Sequence, residues 1–437
     1  MPEIFPFGLV DSRTTCVSKN LFIPLAHFRE TCLKARMQHF PVPPPKRPLR
    51  ATLPLVASKS ESNRALILQA LAGPGIELDN LSTARDTRLL ADLLHSEAEV
   101  LDARDAGTTL RFLTAWCAAA HRPARITGTP RMQERPIGIL VEALRTLGAE
   151  IDYEGREGFP PHRIRSFTQQ QRQVRIRGDV SSQYISALLL IGPYLPMGID
   201  IQLEGEVASR PYIDMTVAWM ARFGLQVDTT PTGYRVEPQT AQPGRHVVES
   251  DWSGAGYWYS LMALTGTGEL KLMHLRNDSL QGDRGLARLF ERLGVQSKFV
   301  ADGVILTPGP RAAHFEADFS DMPDQAQTFA VCCAGLGLPA KLTGLKSLRI
   351  KETDRIAALQ CEVAKFDCAL EAVGDEELLL PGGALRVAGQ SVHTYDDHRM
   401  AMSFAPLAAL GSLTIEDPGV VAKSYPEFWE DWARVSA

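Results

Sequence analysis

The sequence contains no CxxC pair, and its seven cysteines (Cys16, Cys32, Cys117, Cys332, Cys333, Cys361 and Cys368) leave one unpaired in any disulfide scheme. That usage excludes a disulfide-stapled secreted scaffold and reads as packing thiols in a reducing compartment. The ten histidines are scattered without ligand spacing, so neither a zinc site nor another metal or cofactor is expected. No uninterrupted apolar run approaches the roughly 20 residues that span a bilayer. The longest, Ile185 to Leu195, is broken by Gly192 and Pro193. A basic excess is missing too: the formal charge is −5, which argues against a general nucleic-acid binder. Any anion site must therefore come from cations clustered locally.

What remains is a chain of 437 residues, 45% hydrophobic and 22% charged, the composition of a globular protein too long for one core. Two or more domains are expected. Residues 1–45 are poor in acids, carry scattered Arg, Lys, Ser and Thr, and run into a Pro-rich stretch from Pro41 to Pro48. They lack the compact apolar centre of a secretory signal and read as a disordered extension. The protein is expected in the cytoplasm as a monomer.

The stretch Leu53 to Leu71 organises the rest. A short apolar run gives way to small residues at Val56 to Ser58, after which apolar residues recur at helical spacing through Ala65, Leu66, Leu68 and Leu71. The pattern predicts strand, turn, helix, with Ser60 or Ser62 as the cap. The free N–H groups of such a helix start form a ready anion site, and Lys59, Ser60 and Arg64 all sit there.

Similar helix starts return at Ala106 to Ala118, Ser181 to Ile191, Trp252 to Leu264, Asp324 to Leu336 and His398 to Leu410. A second helix with a common ending recurs at Leu144 to Ile151, Ala221 to Val227, Glu291 to Ser297 and Ala364 to Leu370. Three copies carry the glycine that stops a helix, and the fourth has Asp367. The chain thus reads as an α/β fold of six repeated units, each alternating strands with two helices, arranged as two domains of three. If the first helices run parallel, their N-termini face an interdomain cleft that attracts anions.

Cations collect at these helix starts and in adjacent loops: Lys59, Arg64, Arg111, Arg131, Arg135, Lys351, Arg355, His398, Arg399 and Lys423. Polar hydrogen-bonding groups accompany them in VSSQ (Val180 to Gln183) and SRPYID (Ser209 to Asp214). Two carboxylates stand among the cations, Asp324 in DMPDQAQT and Glu352 in KETDR. Cations beside two acids can separate the pKa values of the pair, as acid–base catalysis requires. Each has a plainer reading: Glu352 as a helical partner of Arg355, Asp324 as a helix cap.

Taken in order, SKSESNRAL, AGTTLRF, PRMQERPIG, VSSQ, SRPYID, KETDR and DHRMAM resemble the EPSP synthase family from about Leu53 to Trp432. The resemblance implies two domains of three βαβαββ units each. It assigns 58–249 to a domain binding shikimate 3-phosphate, and 46–57 with 250–437 to the second. It implies transfer of the enolpyruvyl group of phosphoenolpyruvate to the 5-hydroxyl of shikimate 3-phosphate, with release of phosphate. The implied contacts to shikimate 3-phosphate are Lys59, Ser60, Arg64, Ser181, Ser182, Gln183, Ser209, Tyr212, Asp324 and Lys351. Those to phosphoenolpyruvate are Lys59, Gly107, Arg131, Gln183, Arg355, Arg399 and Lys423. Asp324 is the implied proton acceptor and Glu352 the donor, with Lys59, His398 and Lys423 in support.

Three positions depart from the family pattern: Asp105 stands where Asn is common before AGT, Ser347 replaces an Asn, and Ala57 replaces a Gly before SKS. The two substrates together carry about five or six negative charges, each phosphate contributing about −1.5 to −2. The clustered lysines and arginines balance that charge without a metal. Two rivals remain at this level. One is the related transferase acting on UDP-N-acetylglucosamine, and the other a non-catalytic phosphometabolite binder that has kept the scaffold.

Overall fold

The computed structural model describes residues 39–437 apart from 180, 206 and 208. The expected N-terminal extension lies mostly outside the described residues, but its boundary at residue 45 is too late. His39–Pro41 is a strand paired antiparallel with Leu413–Glu416, and Val42 is buried in a core. The proline-rich run holds its place with carbonyls, which proline retains although it lacks an N–H. Pro43 O accepts from the Trp432 indole at 2.9 Å.

Four four-stranded sheets share one topology: two parallel strands, then an antiparallel hairpin. In the sheet Val100–Asp102, Ala124–Thr127, His162–Phe167 and Ala149–Tyr153, the first pair is parallel and the other pairings antiparallel. The sheets that begin with Gln173–Arg177, Leu49–Leu53 and Phe315–Asp318 repeat it. Two smaller sheets keep the parallel pair alone or with one added strand, Gly244–Val247 with Ile76–Asp79 and Gln390–Val392 with Leu413–Glu416. Among the described residues, the six units of the sequence pattern are thus six sheets.

Two of the parallel pairs are made by exchange. Leu49–Leu53 joins Gly268–Met273, and Gly244–Val247 returns to Ile76–Asp79. The chain therefore crosses between two apolar cores twice. One core gathers buried residues from Ala57 to Val248, the other Val42 to Val56 with Trp252 to Val435. The two crossings lie side by side: Ser58 N donates to Glu249 O and Asp251 N to Val56 O, both at 2.8 Å.

The first helices of the units are Lys59–Ala72, Gly107–Ala119, Ser182–Ile191, Trp252–Thr265, Ala326–Leu336 and His398–Phe404. Most are buried nearly all round, as expected of helices enclosed within cores. Four are capped by the residue just before them: Ser58, Ser181, Asp251 and Asp397 each accept from a backbone N–H of the first turn. Ser58 thus takes the role expected of Ser60 or Ser62, because the helix already begins at Lys59; Ser62 instead accepts from Ser82 N. The sixth helix is shorter than its pattern and tightens into a 3₁₀ turn at Ala405–Ala409, where Pro406 supplies no N–H. Asp367, standing where the other units use glycine, takes the left-handed conformation at φ 58°. Aspartate is one of the few side chains that tolerates it. Among the described residues, no helix is long and apolar enough to cross a membrane.

Candidate active site

The first turns of all six helices, or the residues just before them, open on one cleft between the two cores. Lys59 and Ser60, Gly107 and Thr108, Ser181 to Gln183, Ser253 and Gly254, Pro323 and Asp324, and His398 and Arg399 line it. Each helix start turns positive backbone dipole and free N–H groups toward the same space. Arg64, Ser209, Tyr212, Lys351, Glu352 and Arg355, also expected, line it too.

Arg355 is the centre of the charged network. Its side chain is 1% exposed, and it donates to Asp397 Oδ2 at 2.7 Å, to Asp324 Oδ1 at 2.9 Å and to Glu352 Oε2 at 2.9 Å. Of the two plainer readings, one is realised and the other is not. Glu352 does pair with Arg355 three residues on, whereas Asp324 caps nothing and sits in the 3₁₀ turn Pro323–Gln325. Asp324 also meets Arg399 at 3.0 Å and Lys351 at 3.3 Å. Burial works to raise the Asp324 carboxyl, but Arg399, Lys351 and Arg355 outweigh it and hold it well below the ordinary range. Burial is likewise overcome at Glu352 by Arg355, Arg135 and Lys423, so both carboxyls are anionic. His398 is kept neutral by burial and by Lys59 and Arg399.

Arg64 reaches the cleft but spends four donors on the scaffold, to Thr216, Ser60 O, Ser186 and Tyr212 O. Gln183 donates to Thr108 at 3.1 Å, and Ser181 caps its own helix, leaving Ser182 without a capping role.

Two expected anion contacts, Arg131 and Lys423, do not line the cleft. Arg131 lies on the short helix Pro130–Gln133 with its side chain 44% exposed. It donates across the mouth to Lys351 O and Glu352 O, both at 3.2 Å, tying one core to the other. Arg135 turns inward instead. Its side chain is 10% exposed and lies 4.0 Å from Glu352 Oε1, and its Nε has no partner among the described residues. A Cβ at Gly107 would lie 2.8 Å from Nη1 of both Arg111 and Arg135. Any larger residue there would have to push these guanidiniums aside. Lys423 is buried and donates to Asp105 Oδ2 at 2.9 Å, Asp105 O at 2.8 Å and Asp86 Oδ1 at 3.4 Å, all on the opposite core.

The cations are therefore not waiting unpaired. Asp86 bridges Lys423 and Lys59, the latter at 3.1 Å, and Asp397 backs Arg355. Sequence reasoning assigned no role to Asp86, Thr108, Asp251, Tyr257 or Asp397, and counted Arg135 among the clustered cations without making it a substrate contact. Asp251 and Asp397 carried a legible signal, an aspartate immediately before a helix.

The model of the EPSP synthase (3-phosphoshikimate 1-carboxyvinyltransferase) family matches residues 94–432. The chain belongs to that family. The 3-phosphoshikimate 1-carboxyvinyltransferase of Bacteroides fragilis is 46% identical over 389 residues, covering 88% of this chain and 94% of that protein. That of Burkholderia multivorans is 38% identical, covering 88% and 96%. In fold, the chain is similar to EPSP synthase from Acinetobacter baumannii, with TM-score 0.73, 20% identity, and coverage of 91% and 98%. It is also similar in fold to the enolpyruvyl transferase NikO from Streptomyces tendae, with TM-score 0.69, 14% identity, and coverage of 91% and 97%. The EPSP synthase assignment makes the chain a transferase and removes the non-catalytic rival.

Proposed function

We propose that the cleft binds shikimate 3-phosphate and phosphoenolpyruvate side by side and joins them by addition and elimination. The observation that carries this reading is the pair of carboxylates, Asp324 and Glu352, held on one arginine and ringed by Lys351, Arg135 and Arg399. Asp324 takes the proton of the 5-hydroxyl as its oxygen bonds to the enol carbon. Glu352 delivers a proton to the methylene carbon; the tetrahedral adduct then expels phosphate, which leaves with the proton held by Asp324, and its methyl group returns one proton to Glu352 to restore the enol double bond. Lys59, His398 and Lys423 support this chemistry.

Because Glu352 is anionic beside Arg355 and Arg135, its donor role requires a change on binding. The substrate anions offset those guanidiniums and let Glu352 take up the proton it delivers. Lys59, Ser60, Arg64, Ser181, Ser182, Gln183, Ser209, Tyr212, Asp324 and Lys351 serve shikimate 3-phosphate. Lys59, Gly107, Gln183, Arg355, Arg399 and Lys423 serve phosphoenolpyruvate. Arg135 takes the place expected of Arg131, since its guanidinium faces the cleft with an unpartnered donor while that of Arg131 is engaged on two carbonyls. The two cores act as domains hinged at Val56–Ser58 and Glu249–Asp251, within a monomer that does not bind nucleic acid.

Phosphate release is measured with both substrates and with each omitted in turn; release with only one substrate overturns the reading, and turnover with the nucleotide sugar moves it to the rival. In the same assay Arg135→Ala raises KM for phosphoenolpyruvate by about tenfold or more, and Arg131→Ala raises it less. The reverse order removes Arg135 from this role.

A further inference from the structure

Lys423 ends the turn Pro418–Lys423, and its neighbours Ser424 and Tyr425 line the cleft. Its ammonium nonetheless points to the opposite core, where three acceptor atoms take it: the carboxylate and the backbone carbonyl of Asp105 and one oxygen of Asp86. An ammonium has three protons to donate, so this set engages all of them. Asp86 is shared with Lys59, and Asp105 with Arg85 at 2.7 Å. Asp105 sits at the rim, its side chain 32% exposed, directly before Ala106 and Gly107 at the helix start that faces the cleft.

We infer that Asp105 sets the affinity of this cleft for its phosphorylated enol acid, because its carboxylate is a resident counter-ion on the Lys423 ammonium that the incoming anion must displace. The inference rests on the proposed binding of phosphoenolpyruvate beside Lys423. A neutral residue at position 105 leaves the carbonyl and Asp86 contacts in place but removes one negative charge from the competition. Asp105 does not line the cleft; it is a positioning residue that acts through Lys423.

The test compares wild type, Asp105→Asn and Asp105→Glu in the two-substrate assay, with inorganic phosphate as an anionic inhibitor. Asp105→Asn lowers KM for phosphoenolpyruvate and the inhibition constant of phosphate by about tenfold, with kcat changed by less than about twofold. Asp105→Glu restores values near wild type, which a general packing defect would not. Asp105→Ser carries the same expectation if the Asn variant fails to fold. An unchanged or raised KM in the neutral variants, or a Glu variant that behaves like Asn, overturns the inference. Calorimetric titration of phosphate into wild type and Asp105→Asn reads the same competition without turnover. An inactive wild type therefore counts against the proposed reaction, and equal phosphate affinities count against Asp105.

Discussion

Asp397 offers the sharpest test of how the site is held. Its side chain is fully buried; Oδ2 accepts from Arg355 Nε at 2.7 Å, and Oδ1 accepts from Arg399 N at 2.9 Å as the cap of the last central helix. Replacement by Asn keeps a capping oxygen but removes the charge opposite a guanidinium that is itself 1% exposed. Breaking a buried ion pair from one side costs about 3–5 kcal/mol. Arg355 keeps Asp324 and Glu352, so the lower end, about 3 kcal/mol, applies to Asp397→Asn. Asp397→Ala loses the cap as well, for a total of about 4 kcal/mol. Urea unfolding followed by circular dichroism measures both from the shift in midpoint at unchanged slope. An Asn variant within about 1 kcal/mol of wild type, or Asn and Ala variants of equal stability, would refute the reasoning.

Other outcomes follow from the same geometry. Asp324→Ala lowers kcat by about 10²- to 10⁴-fold, while phosphoenolpyruvate binding, read by calorimetry, is largely kept; unchanged turnover removes Asp324 as the base. Glu61 lies buried under the crossings, and burial first, then Glu249, pushes its carboxyl up to about 7. Its folded pKa exceeds the unfolded one, so its contribution is complete below the unfolded value of about 4.3 and is lost as pH rises through the folded value. Glu61→Gln therefore gains about 3.5 kcal/mol over wild type at pH 8 and only about 1 kcal/mol at pH 5; an equal gain at both pH values sinks this account. Small-angle scattering should give a smaller radius of gyration with both substrates than without, and identical curves would count against closure of the two cores.

The repeated architecture was readable because its signals are local. Helix starts with small polar residues, apolar periodicity and glycine stops each act within a few positions, and the six central helices fall where that pattern put them. Even Asp367 obeyed the rule it broke in letter, adopting the left-handed backbone that its glycine counterparts supply. What stayed hidden depends on distance along the chain. Nothing near Leu49–Leu53 or Gly244–Val247 says that each pairs with a strand far away along the chain. The choice between Arg131 and Arg135 was equally closed to the sequence, because both are cations in one motif and only the turn after Gln133 decides which faces inward.

The charge balance shows the same limit more clearly. Counted along the string, the lysines and arginines formed a surplus ready for phosphorylated acids. In space they are already neutralised by acids that lie 337 positions away for Lys423 and Asp86, 75 for Arg399 and Asp324, and 42 for Arg355 and Asp397. In a cleft so paired, like charges do not repel across it before ligand arrives. Substrate binding then becomes exchange of one set of anions for another, and affinity depends on how firmly the resident carboxylates hold. That makes the acids between the cores as much a part of recognition as the cations they neutralise.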